Sequence, residues 1–492
     1  MAVPDGSTEA NRPTIGVAPQ DQPSGRISLS VPLTDIPGTF RPMLRLAIPV
    51  LIEQVLTMLV GFSDRVLTGH YLETPHLAAI TLMSYVLWML WGVFQVVTIA
   101  ATAMVARCVG AGDFGSARKV TNQAFVVGAA LAAAVVLLGA LLAERLVDFL
   151  QLEGEAAELA TVYFRYMLPA VPLIMAQTVG IACLRGAGDM VSGLIIMATV
   201  NLVNVSVSWA LMLGLGPLPE LGWQGIAIGT LCGYVVGGLL AVGLLVHGRS
   251  GLRLEWGGLW PDWNLIRRLL WVGLPGGADM LSIIGCQLWF LPVINQLGDQ
   301  ATAAHGVAIC VESMAYLPGA AFQMAATTLA GQYLGARDYH KASRSVLMAV
   351  LVGGGVMVSM GVLFYVRAYP LAQLFVKSDQ ADVARLAAPL LQTVALAIPA
   401  LALTMILSGA LRGAGDTRWP LAFSLVGFLG VRIPTAYWLA LESVRIPGTA
   451  WIVAGCGLGV LGAWCAMVTD LTVRATLVVC RFWHGGWKRI EV

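Results

Sequence analysis

The residues able to do chemistry in this chain are the few polar ones set inside long apolar runs. An ionisable side chain within a membrane is costly, so each is a functional candidate by default. Glu53 and Asp64 share the first run, eleven positions apart. That is close to three helical turns, which puts both on one helix face about 16 Å apart. Pro49 precedes them and is placed to bend that helix. Burial strengthens a carboxyl's hold on its proton by up to about 3–5 pKa units, the property a proton-carrying site needs, and Asp64 is the candidate. An ion pair with adjacent Arg65 is the competing reading, weakened because successive helical residues point in different directions. Asn204 and Ser208, at i and i+4, share a face of the fifth run, and Thr230 follows in the sixth. Their oxygens suit a small cation, and they equally suit helix packing through hydrogen-bonded small polar groups. In the second half, Asp279 lies four residues after Pro275, as Glu53 lies four after Pro49. Glu312, Tyr316 and Gln323 fall on one face of the eighth run, with Arg432 placed to balance Glu312. Asp470 and Arg474, at i and i+4, read as a local salt bridge.

What positions these residues is a duplication. Leu184-Arg185-Gly186-Ala187-Gly188-Asp189 returns as Leu411-Arg412-Gly413-Ala414-Gly415-Asp416, 227 positions later. Gly110-Ala111-Gly112-Asp113 realigns with Gly335-Ala336-Arg337-Asp338 at an offset of 225, and Pro49 with Pro275 and Glu53 with Asp279 at 226. One displacement across separated stretches means one unit used twice. Each hexapeptide lies between apolar runs. Its glycines permit a tight turn and its Asp can cap the next helix, so a structural hinge is the better reading than a ligand site.

Of 492 residues, 58% are hydrophobic and 11% charged, with a mean hydropathy of +0.79. Ordinary soluble domains carry about 25% charged residues, so this chain belongs in a bilayer. A net charge of +2 with no basic cluster gives no sign of nucleic-acid binding, and eight cysteines without a CxxC pair read as small packing residues. A spanning helix needs about 20 apolar residues. Twelve spans are predicted, near 46–68, 76–105, 119–143, 160–183, 190–214, 223–247, 266–295, 302–333, 345–367, 384–409, 419–440 and 449–480. The fold class is an all-α membrane protein with two pseudo-symmetric six-helix lobes. Residues 1–40 read as a disordered cytoplasmic tail, 41–247 as the N-lobe, 248–264 as a linker and 265–492 as the C-lobe.

Lys and Arg concentrate in one set of loops, among them Arg107, Arg118, Lys119, Arg185, Arg267, Arg268, Arg337, Lys341, Arg412, Lys488 and Arg489. The positive-inside rule places these loops, and both termini, in the cytoplasm of a cell whose inner membrane the chain crosses. Six spans per lobe make the repeats parallel, with the expected ligand cavity between them.

At this point the chain resembles the multidrug and toxic compound extrusion (MATE) transporters over about residues 42–480. The resemblance rests on Pro49…Asp64…Gly69, Val109-Gly110-Ala111-Gly112, the two LRGAGD turns, Gly331-Gln332-Tyr333-Leu334-Gly335-Ala336, and Arg432-Ile433-Pro434 with Ala436-Tyr437. It implies a V of two six-helix lobes and export driven by inward flow of H⁺ or Na⁺. It also implies a cation site that falls on Asp64, Asn204, Ser208 and Thr230, with Ser208 standing where the family pattern has a carboxylate. The family's second-lobe acids would fall on Ile283 and near Leu401, both apolar, which leaves Asp279 and Glu312 as possible substitutes. The loss of a carboxylate at 208 tilts the coupling ion towards H⁺, while Na⁺ at Asp64 stays open.

The resemblance further implies bulky amphipathic, often cationic substrates, accepted by apolar walls carrying Glu53, Asp279, Glu312, Tyr316 and Gln323. No organic cofactor, no resident metal and no nucleic-acid partner is expected, and the chain is expected to act as a monomer. A flippase for a lipid-linked sugar would want several cavity cations, and the spans hold few beyond Arg432 and Arg474. A membrane-embedded enzyme would need a concentrated catalytic set such as HExxH or a Ser–His pair, and the sequence shows none.

Overall fold

The computed structural model describes residues 36–71, 74–149, 161–162, 164–217, 219–376, 381–445 and 452–490, with backbone alone over 60–71, 74–86 and 142–149. The tail expected at 1–40 lies outside them up to residue 35.

Lipid offers backbone groups no partners, so a spanning segment must satisfy its own, and a helix does so within one strand of chain. Among the described residues, twelve helices are long and apolar enough to cross a bilayer. The first lobe holds α1 (Phe40–Tyr71), α2 (Thr74–Gly110), α3 (Phe114–Phe149), α4 (Phe164–Gly186), α5 (Met190–Leu213) and α6 (Trp223–Val246). The second holds α7 (Trp263–Asn295), α8 (Asp299–Gly335), α9 (Tyr339–Val366), α10 (Ala381–Gly413), α11 (Arg418–Ala440) and α12 (Gly459–His484). α1 stays one helix through Pro49. α11 carries a π turn at Val426–Arg432.

The last span differs from expectation. It begins at Gly459 rather than near 449, because Ile452–Ala454 forms a strand (β2) antiparallel to Ser443–Arg445 (β1), with Val444 opposite Val453. A β-branched apolar run reads like the start of a helix by hydropathy alone, and here the hairpin claims it. Among the described residues the fold is therefore helical with one small ribbon.

Both hexapeptides make the same turn. Asp189 N–H donates to Leu184 O and Gly188 N–H to Arg185 O, and Asp416 and Gly415 repeat this with Leu411 and Arg412. This is the Schellman closure, which needs a left-handed residue, and Gly188 and Gly415 supply it at φ +86° and +82°. The turns after α2 and α8 are built alike, but the left-handed residue is Gly112 in the first and Arg337, at φ +59°, in the second. A side chain in that conformation costs about 1–2 kcal/mol. Asp189 caps α5 by accepting from Ser192 N–H at 3.0 Å. Asp416 does not cap α11: Thr417 takes the cap position without a side-chain bond, and the Asp416 carboxylate accepts from Arg481 instead.

The first helix of each lobe packs on the second helix of the other. Met43, Leu46, Ala47 and Val50 of α1 join an apolar cluster with Ala325, Leu329 and Tyr333 of α8. Leu269 and Val272 of α7 join one with Val97, Ala100 and Ala101 of α2. At the hexapeptide end α2 and α8 meet backbone to backbone. A Cβ at Gly110 would fall on the Gln332 carbonyl, and one at Gly335 on the Arg107 carbonyl. Hydrogen bonds that cross there include Arg107 Nη2 to Ala414 O at 3.2 Å, Gln332 Nε2 to Gly186 O at 2.9 Å, and Thr328 Oγ1 to Arg185 O at 3.1 Å.

Candidate functional site

In the first lobe, α5 and α6 bring Asn204, Ser208 and Thr230 together. Asn204 Nδ2 donates to Thr230 Oγ1 at 3.0 Å. Ser208, fully buried, presses on Gly229, where a Cβ would meet its hydroxyl. Glycine at 229 is what leaves room for that approach. Asn204 Oδ1 and Ser208 Oγ are buried with no hydrogen-bond partner among the described residues, as are Gln177 Oε1 and Asn201 Nδ2. Buried acceptors left unpaired are costly in a native interior, and two oxygens one helical turn apart are a donor set suited to a small cation. Asp64 belongs to α1, but its side chain, like that of Arg65, lies outside the described residues. Its place in this cluster stays an expectation that the family resemblance implies.

Glu53 and Asp279 do not line an open cavity, contrary to their expected part in receiving substrate. Glu53 is buried and its Oε1 accepts from Arg185 Nη2 at 2.5 Å. Asp279, fully buried, accepts from Arg412 Nη2 at 2.5 Å. The two pairs are repeat images: the acid comes from the first helix of each lobe and the Arg from its hexapeptide. In low dielectric an unpaired charge is expensive, so each acid draws in the nearest permanent cation. A carboxylate so held already has its counterion, so neither acid is free to meet a passing cationic substrate as the structure stands. The Arg residues read from sequence as markers of orientation are thus structural partners. The signal was present, since Glu53/Asp279 and Arg185/Arg412 are opposite charges that recur at nearly one offset.

Glu312, Tyr316 and Gln323 lie along α8. Glu312 and Gln323 are half-buried and Tyr316 is 46% exposed, without an ion pair on Glu312 among the described residues. Arg432 does not pair with Glu312. It leaves the π turn of α11 buried, with Nη2 3.4 Å from Gln287 Oε1 and its guanidinium 4.7 Å from the Phe290 ring centre. A π turn re-aims one side chain and recurs at functional positions. Asp470 and Arg474 form the expected i, i+4 bridge within α12, in two bonds of 2.8 and 2.9 Å, against Gly427 of α11. The eight cysteines are free, and the described residues hold no cluster of His, Cys, Asp and Glu fit for a metal ion.

Duplicated six-helix halves, crossed through their first and second helices and each locked by a buried ion pair, define a polytopic membrane protein of the two-lobe transporter type. A family model described as MatE matches residues 49–210 and 275–438, once per lobe and two thirds of the chain in all, and the chain belongs to that family. It is 27% identical over 467 residues to a probable multidrug resistance protein NorM of Thermotoga maritima, covering 94% of this chain and 96% of that one. It is also 27% identical over 448 residues to the multidrug resistance protein NorM of Photobacterium profundum, covering 90% and 94%. Among solved structures, the outward-facing conformation of a multidrug resistance MATE family transporter superposes with a TM-score of 0.83 at 21% identity, over 94% of this chain and all of that one. At that identity the superposition speaks for the fold.

Proposed function

We propose that this protein is a secondary active multidrug efflux transporter, exporting amphipathic and often cationic organic compounds by antiport with H⁺ or Na⁺. The carrying observation is the pair of orphaned buried oxygens on Asn204 and Ser208 beside Thr230, inside a chain of this family. They form part of a cation site that Asp64 completes from α1. Serine at 208 favours H⁺ over Na⁺ as the coupling ion, since the site then offers a bare Na⁺ one carboxylate and a proton needs no more than that.

Coupling requires ion and substrate to favour different states of one two-state element. Occupancy of Asp64 alters the bend of α1 at Pro49, and the lobes rock about their crossed helices. With the hexapeptide turns and both termini in the cytoplasm of the inner membrane, the cross-lobe bonds of Arg107, Gln332 and Thr328 close the inner side, and substrate leaves from the opposite face. Glu312, Tyr316 and Gln323 offer that substrate one carboxylate, one ring and one amide on a single helix face. The linker reading for 248–264 is supported by its two short 3-10 turns, Arg249–Gly251 and Trp256–Leu259, between α6 and α7. The working unit is a monomer of two lobes.

The test is Asp64→Asn in cells challenged with a cationic dye, alongside purified protein in liposomes under an imposed proton or sodium gradient. Loss of gradient-driven dye movement with normal membrane insertion is expected. Undiminished efflux ends the proposal.

A further inference from the structure

At the hexapeptide end, a cleft of about 560 Å³ opens between the lobes. Six basic side chains line it: Arg107 and Lys119 from the first lobe, and Arg268, Arg337, Lys488 and Arg489 from the second. Two carboxylates accompany them, and both are engaged. Asp113 accepts from the Ser116 amide at 2.9 Å and Asp262 from the Asn264 and Leu265 amides, each starting a helix. Lys119, Arg268, Arg337, Lys488 and Arg489 enter no ion pair among the described residues. Like charges gathered around one cavity repel, and a bound anion relieves that.

Two features show the cleft as built rather than left over from the positive-inside bias. Arg337 holds a left-handed backbone position that its repeat image fills with Gly112, so a charged side chain is kept where glycine would be unstrained. Strain of this kind gathers at functional positions. The C-terminal segment is also pinned to deliver its two cations. Trp487 is fully buried, stacks on Phe482 at 5.1 Å between ring centres, and donates its indole N–H to Phe482 O at 2.9 Å.

Trp256, Trp260 and Trp263 stand 92, 81 and 76% exposed on the segment that leads into the cleft wall. Exposed Trp residues gather at headgroup depth, and basic pockets between transmembrane helices at that depth take phosphate headgroups. We infer that this cleft binds a phosphate group, that of an anionic lipid headgroup or free phosphate, and that the bound anion holds the two lobes together at this end. The inference goes beyond the efflux reading, because the site exists whatever the transported compound.

The test compares melting of the purified full chain in phosphatidylcholine nanodiscs, in nanodiscs also containing phosphatidylglycerol, and in phosphatidylcholine with added inorganic phosphate. A triple variant, Arg268→Gln, Arg337→Asn and Arg489→Gln, removes three lining charges, with asparagine chosen because it tolerates the left-handed position. A control, Arg41→Gln, Arg45→Gln and Arg344→Gln, removes three exposed charges that do not line the cleft. Phosphatidylglycerol is expected to raise the melting temperature of the wild type and the control, with the rise lost in the lining variant. A cooperative melt for all three in phosphatidylcholine shows that the variants fold, each rise being read against the variant's own melt there, and should the lining variant fail to fold, Lys119→Gln and Lys488→Gln replace it. A matching rise with inorganic phosphate makes the free ion the source, and a rise with lipid alone makes it the headgroup. No rise with either, or a rise that the lining variant keeps or the control loses, overturns the inference. Melting needs no transport, so a failed efflux assay leaves this result standing.

Discussion

Arg185 donates to Glu53 across 132 positions of chain, and Arg412 donates to Asp279 across 133. The same strut, built twice, ties the opening helix of each lobe to its fourth helix, at the end where the lobes meet. Removing one partner leaves a buried charge without a counterion, at a cost of about 3–5 kcal/mol, whereas removing both is far milder. Glu53→Ala is expected to lower the thermal midpoint of the purified protein more than Glu53→Gln with Arg185→Gln. The Asp279 and Arg412 variants are expected to behave alike. Equal losses from single and double variants would show that the pair is not a coupled unit.

Ser208 stands beside Asn204 and Thr230 with its hydroxyl unpaired. A second carboxylate there gives Na⁺ a stronger electrostatic well and more oxygen to replace its water. Ser208→Asp is therefore expected to make dye efflux from proteoliposomes depend more steeply on a sodium gradient. The substitution must be accommodated against Gly229, so membrane expression is checked first. An unchanged sodium response argues against the ion choice proposed above.

Asp189 carries a pH dependence. Burial pushes its carboxyl up, but the Ser192 amide, the Ser250 hydroxyl and Arg249 outweigh that and hold it below its ordinary value. A depressed folded pKa contributes stability that is fully present above the unfolded value of about 3.9 and drains away as pH falls through the folded one. Asp189→Asn should cost roughly 1.5–3 kcal/mol at neutral pH, the worth of a charge-assisted bond. The gap from wild type should close in melts below about pH 4. A gap that persists in acid would show that the loss is one of packing.

Arg337 exchanges backbone comfort for a charge. Arg337→Gly is expected to stabilise the protein in phosphatidylcholine by about 1 kcal/mol as the left-handed strain is released. A fall in melting temperature there would mean that the side chain makes contacts worth more than the strain.

The helices were legible because their signal is local. Each is an apolar run of sufficient length, and turn chemistry such as Leu184–Asp189 sits in six consecutive residues. The duplication was legible because Leu411–Asp416 copies that stretch. The ribbon of Ser443–Arg445 with Ile452–Ala454 was not, since Ile452, Val453 and Ala454 are as apolar as a helix start and only pairing with β1 distinguishes them. Nor were the partners of Glu53 and Asp279 found, because contacts across more than a hundred residues leave no periodicity. Only laying one repeat on the other shows acid and Arg moving as a set. At the candidate cation site, Asn204 and Ser208 were legible by helical spacing, whereas Thr230, on the next helix, was implied only by the family resemblance. The orphaned oxygens became evident only once α6 pressed Gly229 against Ser208.

Because Gly110 and Gly335 seat the two lobes main chain on main chain, a side chain at either position would wedge α2 and α8 apart at the hexapeptide end. The bonds of Arg107, Gln332 and Thr328, each worth about 1 kcal/mol net, fasten that close seam, and the apolar clusters of α1 on α8 and α7 on α2 add to it.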